Sequence, residues 1–262
     1  MVGKHSSQTS LTGIEPIWAA ATSGPLHGAG VLLCHGFTGT PASVQPWAYY
    51  LASLGAAVAC PVLPGHGSCW QQLALTTHED WYSVLPPALD WLAEQTRIQV
   101  VAGLSMGGAL ALRVAELEPV AGVSLVNPSL GSDDLRYRLL PMLAKVLPSI
   151  PGIGNDIRRA GVGEPSYPRT PLAAAASMRR LWSMVVADLD QVRAPVQLFT
   201  SVVDHVVDGY SGRLLRSRLV DLADDRWLVN SWHVVPLDHD AGVINEASAA
   251  FIANLLRVHD EL

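Results

Sequence analysis

The pentapeptide Gly103-Leu104-Ser105-Met106-Gly107 constrains the fold of this chain more than any other feature, because of what flanks it. Residues 98–102 read Ile-Gln-Val-Val-Ala, a short apolar run of the kind that forms a buried strand. Residues up to about 117 are alanine-rich and read as a helix. A strand that enters and a helix that leaves within so few residues require a very sharp turn. Such a turn packs tightly against its neighbours, so small residues must sit two positions to either side of its apex. The apex is Ser105, whose hydroxyl would stand clear of the sheet at the positive end of a helix.

The rest of the chain alternates in the same way. Residues 31–34 form an apolar run that ends in the loop His35-Gly36-Phe37-Thr38-Gly39. Pro41 opens a helical pattern with Val44, Trp47, Ala48 and Leu51 on one stripe, closed by Gly55. Residues 56–63 read as a strand stopped by Pro64-Gly65-His66-Gly67, and residues 121–126 as another. Residues 79–94 read as a helix with Trp81, Val84, Leu85, Ala88, Leu89 and Leu92 in line, although Pro86-Pro87 argues against its continuity. Later come a strand at 196–203, a helix at 210–222, a short strand at 226–229 and a closing helix at 245–256. Strands alternating with helices predict an α/β fold with a mostly parallel sheet covered on both faces.

The pattern breaks between residues 129 and 190, a stretch rich in Pro, Ala and Arg that carries Leu139, Leu140, Met142, Leu143, Val146, Leu147 and Ile150. It is too long for a loop. It reads as an inserted cap of short helices over one sheet edge, leaving residues 1–128 and 191–262 as a single core domain. A length of 262 residues does not demand more than one such domain.

Composition excludes several classes. Hydrophobic residues make up 49% and charged residues 15%, which argues against global disorder. Seventeen basic against 23 acidic residues give a net charge of −6, so no basic excess exists to neutralise a phosphate backbone and a nucleic-acid partner is not expected. Cys34, Cys60 and Cys69 have neither disulfide-framework nor CxxC spacing. The first eleven residues are polar and lack the apolar core of a secretory signal, and no apolar run has the length of a membrane span, so a cytoplasmic protein is expected.

A serine hydroxyl is a weak nucleophile without a general base, and the base needs an acid to fix its tautomer. On this architecture the partners follow the serine in the order acid, then histidine. His233 comes just after the strand at 226–229, at a strand's carboxyl end, whereas His239 is flanked by Asp238 and Asp240 in what looks like a solvated charged loop. His205 and His259 are weaker candidates, the first beside a candidate acid and the second in the polar tail. For the acid, Asp204 directly follows the strand at 196–203 and Asp208 is the near alternative. Asp221, Asp224 and Asp225 read as a solvated helix end. The loop after residue 34 is placed to supply an oxyanion-binding N–H from Phe37, with a second from Met106. His35 itself is read as a hydrogen-bonding partner of that loop.

Taken together, His35-Gly36-Phe37-Thr38-Gly39, Gly65-His66-Gly67, Ala102 to Gly108, Asp204-His205-Val206-Val207, and His233-Val234 followed by Leu237-Asp238 resemble the α/β-hydrolase superfamily, and within it small bacterial carboxylesterases and monoacylglycerol lipases. The resemblance runs from about residue 30 to the C-terminus. It implies a nucleophile at Ser105, an acid at Asp204, a base at His233, oxyanion amides at Phe37 and Met106, and a cap after the strand ending at Val126. It implies hydrolysis of carboxylic esters through an acyl-enzyme, with no metal or organic cofactor required, and the apolar residues around Leu139 to Leu147 would cover an acyl chain, which favours short-to-medium acyl esters or a monoacylglycerol. The same residues would serve an acyltransferase or a thioesterase, and a non-catalytic ligand-binding protein on this fold is a further alternative. Two features depart from the family: Trp232 stands where many relatives carry a small residue, which would narrow the mouth of the site, and the arginines of the cap (Arg158, Arg159, Arg179, Arg180) have no evident counterpart.

Overall fold

The computed structural model describes residues 14–261. The polar N-terminal stretch lies outside them. Five strands carry the first half of the sheet: β1 (Ile17–Ala19), β2 (Ala29–Cys34), β3 (Ala57–Cys60), β4 (Ile98–Leu104) and β5 (Gly122–Val126). A two-stranded ribbon, β6 (Ser149–Pro151) paired antiparallel with β7 (Arg169–Pro171), stands apart from the sheet. The sheet is completed by β8 (Val196–Ser201) and β9 (Leu222–Leu228), in the order β1-β3-β2-β4-β5-β8-β9. Only β1, antiparallel to β3, breaks the parallel pairing. This is the α/β-hydrolase arrangement.

Alternation along the central strands splits the core in two. Leu32, Val101, Val123, Leu125 and Leu198 point to the face covered by α3 (His78–Ser83), α4 (Leu85–Ala93), α5 (Met106–Leu117) and α7 (Leu172–Asp188). Val31, Leu33, Val100, Ala102, Val126 and Phe199 point to the face covered by α1 (Gln45–Ser53) and α9 (Ala241–Asp260). The short helices α2 (Trp70–Leu73) and α6 (Leu140–Leu143) and the helix α8 (Tyr210–Arg218) complete the set among the described residues. None of these helices is long and apolar enough to cross a membrane.

Several elements differ from the sequence reading, each for a local reason. The helix expected over residues 79–94 is two helices, broken at Val84, with the proline pair in the first turn of α4 where a missing N–H costs nothing. The helix expected to reach residue 222 stops at Arg218, and the last strand begins at Leu222 rather than 226. Asp224 and Asp225 therefore belong to a strand. The pattern hid it because β9 is an edge strand whose side chains reach solvent, held by Arg216–Asp225 and Arg226–Asp224 pairs instead of an apolar run. β1 is too short to show alternation. The segment between β5 and β8 is not built of short helices alone, since it holds the β6–β7 ribbon and the 17-residue α7, which packs on α5 and α3.

Candidate active site

Ser105 occupies the turn between β4 and α5 with φ 57° and ψ −120°, a left-handed conformation that non-glycine residues rarely adopt. The flanking glycines show why the turn tolerates nothing larger. A Cβ on Gly103 would come within 2.2 Å of the Gly107 carbonyl oxygen, and one on Gly107 within 2.1 Å of the Cys34 carbonyl oxygen. The strained backbone is fastened by Ser105 N–H to Val126 O at 3.0 Å and Ser129 N–H to Ser105 O at 3.0 Å. Met106 is the first residue of α5, so its N–H has no acceptor within the helix.

His233 Nδ1 lies 2.7 Å from Asp204 Oδ2, and both side chains are buried. The other Asp204 oxygen accepts the N–H groups of Val206 and Val207, each at 2.8 Å. Burial disfavours ionised Asp204, but the bond to His233, its charge and the two N–H groups outweigh this and hold the carboxyl below its usual range. For His233, burial pulls the pKa down. The bond and charge of Asp204, with the charges of Glu164 and Asp156, raise it above the ordinary histidine value. Ser105 and His233 line the same cavity.

Of the other candidates, Asp208 lines the same cavity but its carboxylate is engaged away from His233, and His205, His239 and His259 are not in the lining. Asp208 accepts from the Ser132 hydroxyl at 2.6 Å and from Asp133 N–H at 2.9 Å. His205 is exposed and pairs with Asp156 at 2.7 Å. His239 faces a separate surface depression with Arg158 and Asn230, and His259 is exposed near the end of α9. The loop around His239 is not the solvated charged segment its composition suggests. Asp238 and Asp240 are buried, Asp238 accepting from Arg158, Arg159, Trp232 and His239 N–H groups and Asp240 from Asn230 N–H. Trp232 packs edge-on against His205 at 4.9 Å rather than lining the cavity.

The loop that carries Phe37 is tied from below. His35 is fully buried; its Nδ1 meets Gly36 O at 3.0 Å and its Nε2 accepts Leu63 N–H at 3.2 Å. Those contacts put the proton on Nδ1. Burial lowers the His35 pKa to about 4, so the ring is neutral in the folded state. His66 packs edge-on between His35 and Trp81, with Phe37 against both His66 and Trp81.

The cavity measures about 440 Å³. Gly36, Phe37, Ser105 and His233 form one wall, while Leu140, Leu143, Ile150, Leu172, Met178 and Trp182 from the inserted segment supply an apolar one. Glu164 and Asp156 also line it, and neither is singled out by local sequence. Burial raises the Glu164 pKa, and its Oε1 would lie 2.9 Å from a Cβ on Gly39. Asn127, at the end of β5 with φ 42°, donates to His233 O and Ser201 Oγ, each at 2.9 Å, and accepts Ser201 N–H at 2.8 Å. An asparagine at a strand's carboxyl end is a weak sequence signal for this role. Among the described residues no cluster of His, Cys, Asp and Glu is arranged to hold a metal ion.

Residues 31–247 match the model of the alpha/beta hydrolase family. The chain is 35% identical over 247 residues to a thermostable monoacylglycerol lipase of Bacillus sp. (strain H-257), covering 93% of this chain and 96% of that protein. It is 25% identical over 229 residues to a carboxylesterase of Bacillus subtilis (strain 168), covering 86% and 92%. A solved structure from the description of LipS and LipT, two metagenome-derived lipolytic enzymes, superposes with a TM-score of 0.87 at 35% identity, covering 93% of this chain and 99% of that one. A soluble variant of monoglyceride lipase from Saccharomyces cerevisiae shares the fold at 16% identity and a TM-score of 0.72, covering 99% of both chains. The chain belongs to the alpha/beta hydrolase family.

Proposed function

We propose that this protein hydrolyses carboxylic esters of short-to-medium acyl chains or a monoacylglycerol, through an acyl-enzyme formed on Ser105. The observation that carries the reading is the buried Asp204–His233 pair in the wall of the cavity entered by Ser105. His233 takes the proton of Ser105 as the hydroxyl attacks the ester carbonyl. Asp204 keeps the Nδ1–H tautomer and stabilises the imidazolium. The N–H groups of Phe37 and Met106 bind the oxyanion, each such donor contributing about 2.7–4 kcal/mol to the transition state. His233 then protonates the leaving alcohol and activates the water that releases the acid.

The substrate class is supported from two sides. The curated relatives at 35% and 25% identity are a monoacylglycerol lipase and a carboxylesterase. The apolar wall suits an acyl chain, and Glu164 and Ser132 offer acceptors for a hydroxylated alcohol. On this reading residues 129–190 act as a cap over the site. Ser105→Ala tests it: hydrolysis of a p-nitrophenyl acyl ester falls by about 10⁶-fold with an unchanged circular dichroism spectrum. Turnover near the wild-type rate rules the mechanism out.

A further inference from the structure

Two carboxylate–imidazole pairs are interlocked beside the cavity. Asp204 pairs with His233, and Asp156, from the inserted segment, pairs with His205, the residue after Asp204. Oδ2 of Asp156 also accepts two peptide N–H groups, that of His205 at 3.1 Å and that of His233 at 3.2 Å. Its backbone carbonyl accepts Val234 N–H at 3.1 Å. One residue thus grips the acid loop and the base loop, which are 29 residues apart in sequence. The grip is reciprocated. Asp238, buried beyond the base loop, accepts Arg158 N–H at 2.7 Å and Arg159 N–H at 3.0 Å from the inserted segment, and Trp232 N–H at 3.0 Å from the base loop.

We propose that Asp156 is a positioning residue for the general base: its carboxylate sets the register of the His233 loop against the Asp204 loop and holds a negative charge toward the imidazole. The proposal rests on the reading of Ser105, His233 and Asp204 given above. The Asp156 side chain is 11% exposed and lines the cavity; its bond to His233 N–H is partly buried, while its two bonds to the exposed His205 lie at the surface, and charge-assisted hydrogen bonds of this kind hold geometry better than neutral ones. Three acidic groups face the His233 ring: Asp204 by direct bond, Glu164 from the inserted segment, and Asp156. Removing Asp156 removes one of them and frees two peptide groups of the loops it joins. A merely structural residue would lower the amount of folded enzyme without touching the turnover of each folded molecule.

The test uses the full chain with Asp156→Ala and Asp156→Asn. A fluorophosphonate probe counts competent Ser105 sites, and steady-state hydrolysis of a p-nitrophenyl acyl ester is followed across the acid limb. Per labelled site, kcat falls about 10- to 100-fold in Asp156→Ala while KM stays within about threefold. Asp156→Asn, which keeps an acceptor oxygen, recovers part of that loss. In both variants the acid limb of kcat/KM moves to lower pH, because a negative charge that favours the imidazolium is gone. Both signatures are required. A kcat per site and an acid limb unchanged in Asp156→Asn overturn the proposal, and so does a fall in kcat without the shift. Should Asp156→Ala fail to fold, Asp156→Asn alone decides. A wild-type protein that the probe does not label at Ser105 overturns the hydrolase mechanism and this proposal with it, whereas a labelled wild type with an unaltered Asp156→Asn overturns this proposal alone.

Discussion

Asp204 divides its two oxygens between the loop that carries it and the ring it serves: Oδ1 accepts Val206 and Val207 N–H, and Oδ2 lies 2.7 Å from Nδ1 of His233. The backbone bonds fix the carboxylate before any substrate arrives, so the imidazole is aimed by a rigid acceptor. Replacing Asp204 by Asn keeps the shape and removes the charge. Turnover is expected to fall about 10³- to 10⁴-fold, read as kcat on an acyl ester.

On the proposed mechanism the same pair sets the acid limb of activity. The His233 pKa stands above the ordinary histidine value, so the fraction of free base declines at a higher pH than for an isolated histidine. The kcat/KM profile of the wild type is expected to bend above pH ~6.5. In stability the sign is opposite for the two partners. The raised His233 stabilises the fold below the unfolded value and loses this as pH rises through the folded one, while the depressed Asp204 stabilises above its unfolded value and loses this in acid.

Gly107 leaves no room for a side chain, because a Cβ would meet Cys34 O at 2.1 Å, which is backbone and cannot yield. Gly107→Ala is expected to cost about 3 kcal/mol or more in chemical unfolding and to abolish activity. Gly242 in α9 has nothing within 4 Å of a Cβ, and Gly242→Ala is expected to be neutral or to stabilise by up to about 1 kcal/mol.

Glu116 on α5 is held by Arg113, which also binds Asp188 at the end of α7. Burial is the largest influence on its carboxyl and raises the pKa from 4.5 to about 7, against the pull of Arg113. The folded state therefore binds more protons than the unfolded one across that window, and this contribution to stability drains away as pH rises through it. Glu116→Gln is expected to raise the melting temperature relative to wild type at pH ~8 and to lose that advantage near pH ~5. A gap that does not change with pH would contradict it.

His35 gives the mirror-image case beneath the Phe37 loop. Burial lowers its pKa to about 4 from 6.5, so stability present above 6.5 is lost as pH falls toward 4. A glutamine can offer Leu63 N–H an acceptor without titrating. In His35→Gln the melting temperature is expected to fall less steeply than in the wild type over that range.

What local order determines was legible in the sequence. The sharp turn at Ser105, the glycines that permit it and the apolar runs of β2, β4, β5 and β8 announce themselves because strand periodicity and turn sterics act between residues close in the chain. Asp204 and His233 stand out because each follows a strand, and carboxyl ends of parallel strands share one side of a sheet. Tertiary structure alone decided the rest. Asp224 and Asp225 lie in an edge strand whose pairing is set by β8, not by their own hydropathy. Asp238 and Asp240 carry the composition of a wet loop yet are buried, because N–H groups from other segments converge on them. Asp156 and Glu164 reach the cavity from a segment with no periodic pattern, and Asn127 binds the base loop 106 residues away. A buried polar residue is selected by which unpaired donors surround it, and those donors come together only when the chain has folded.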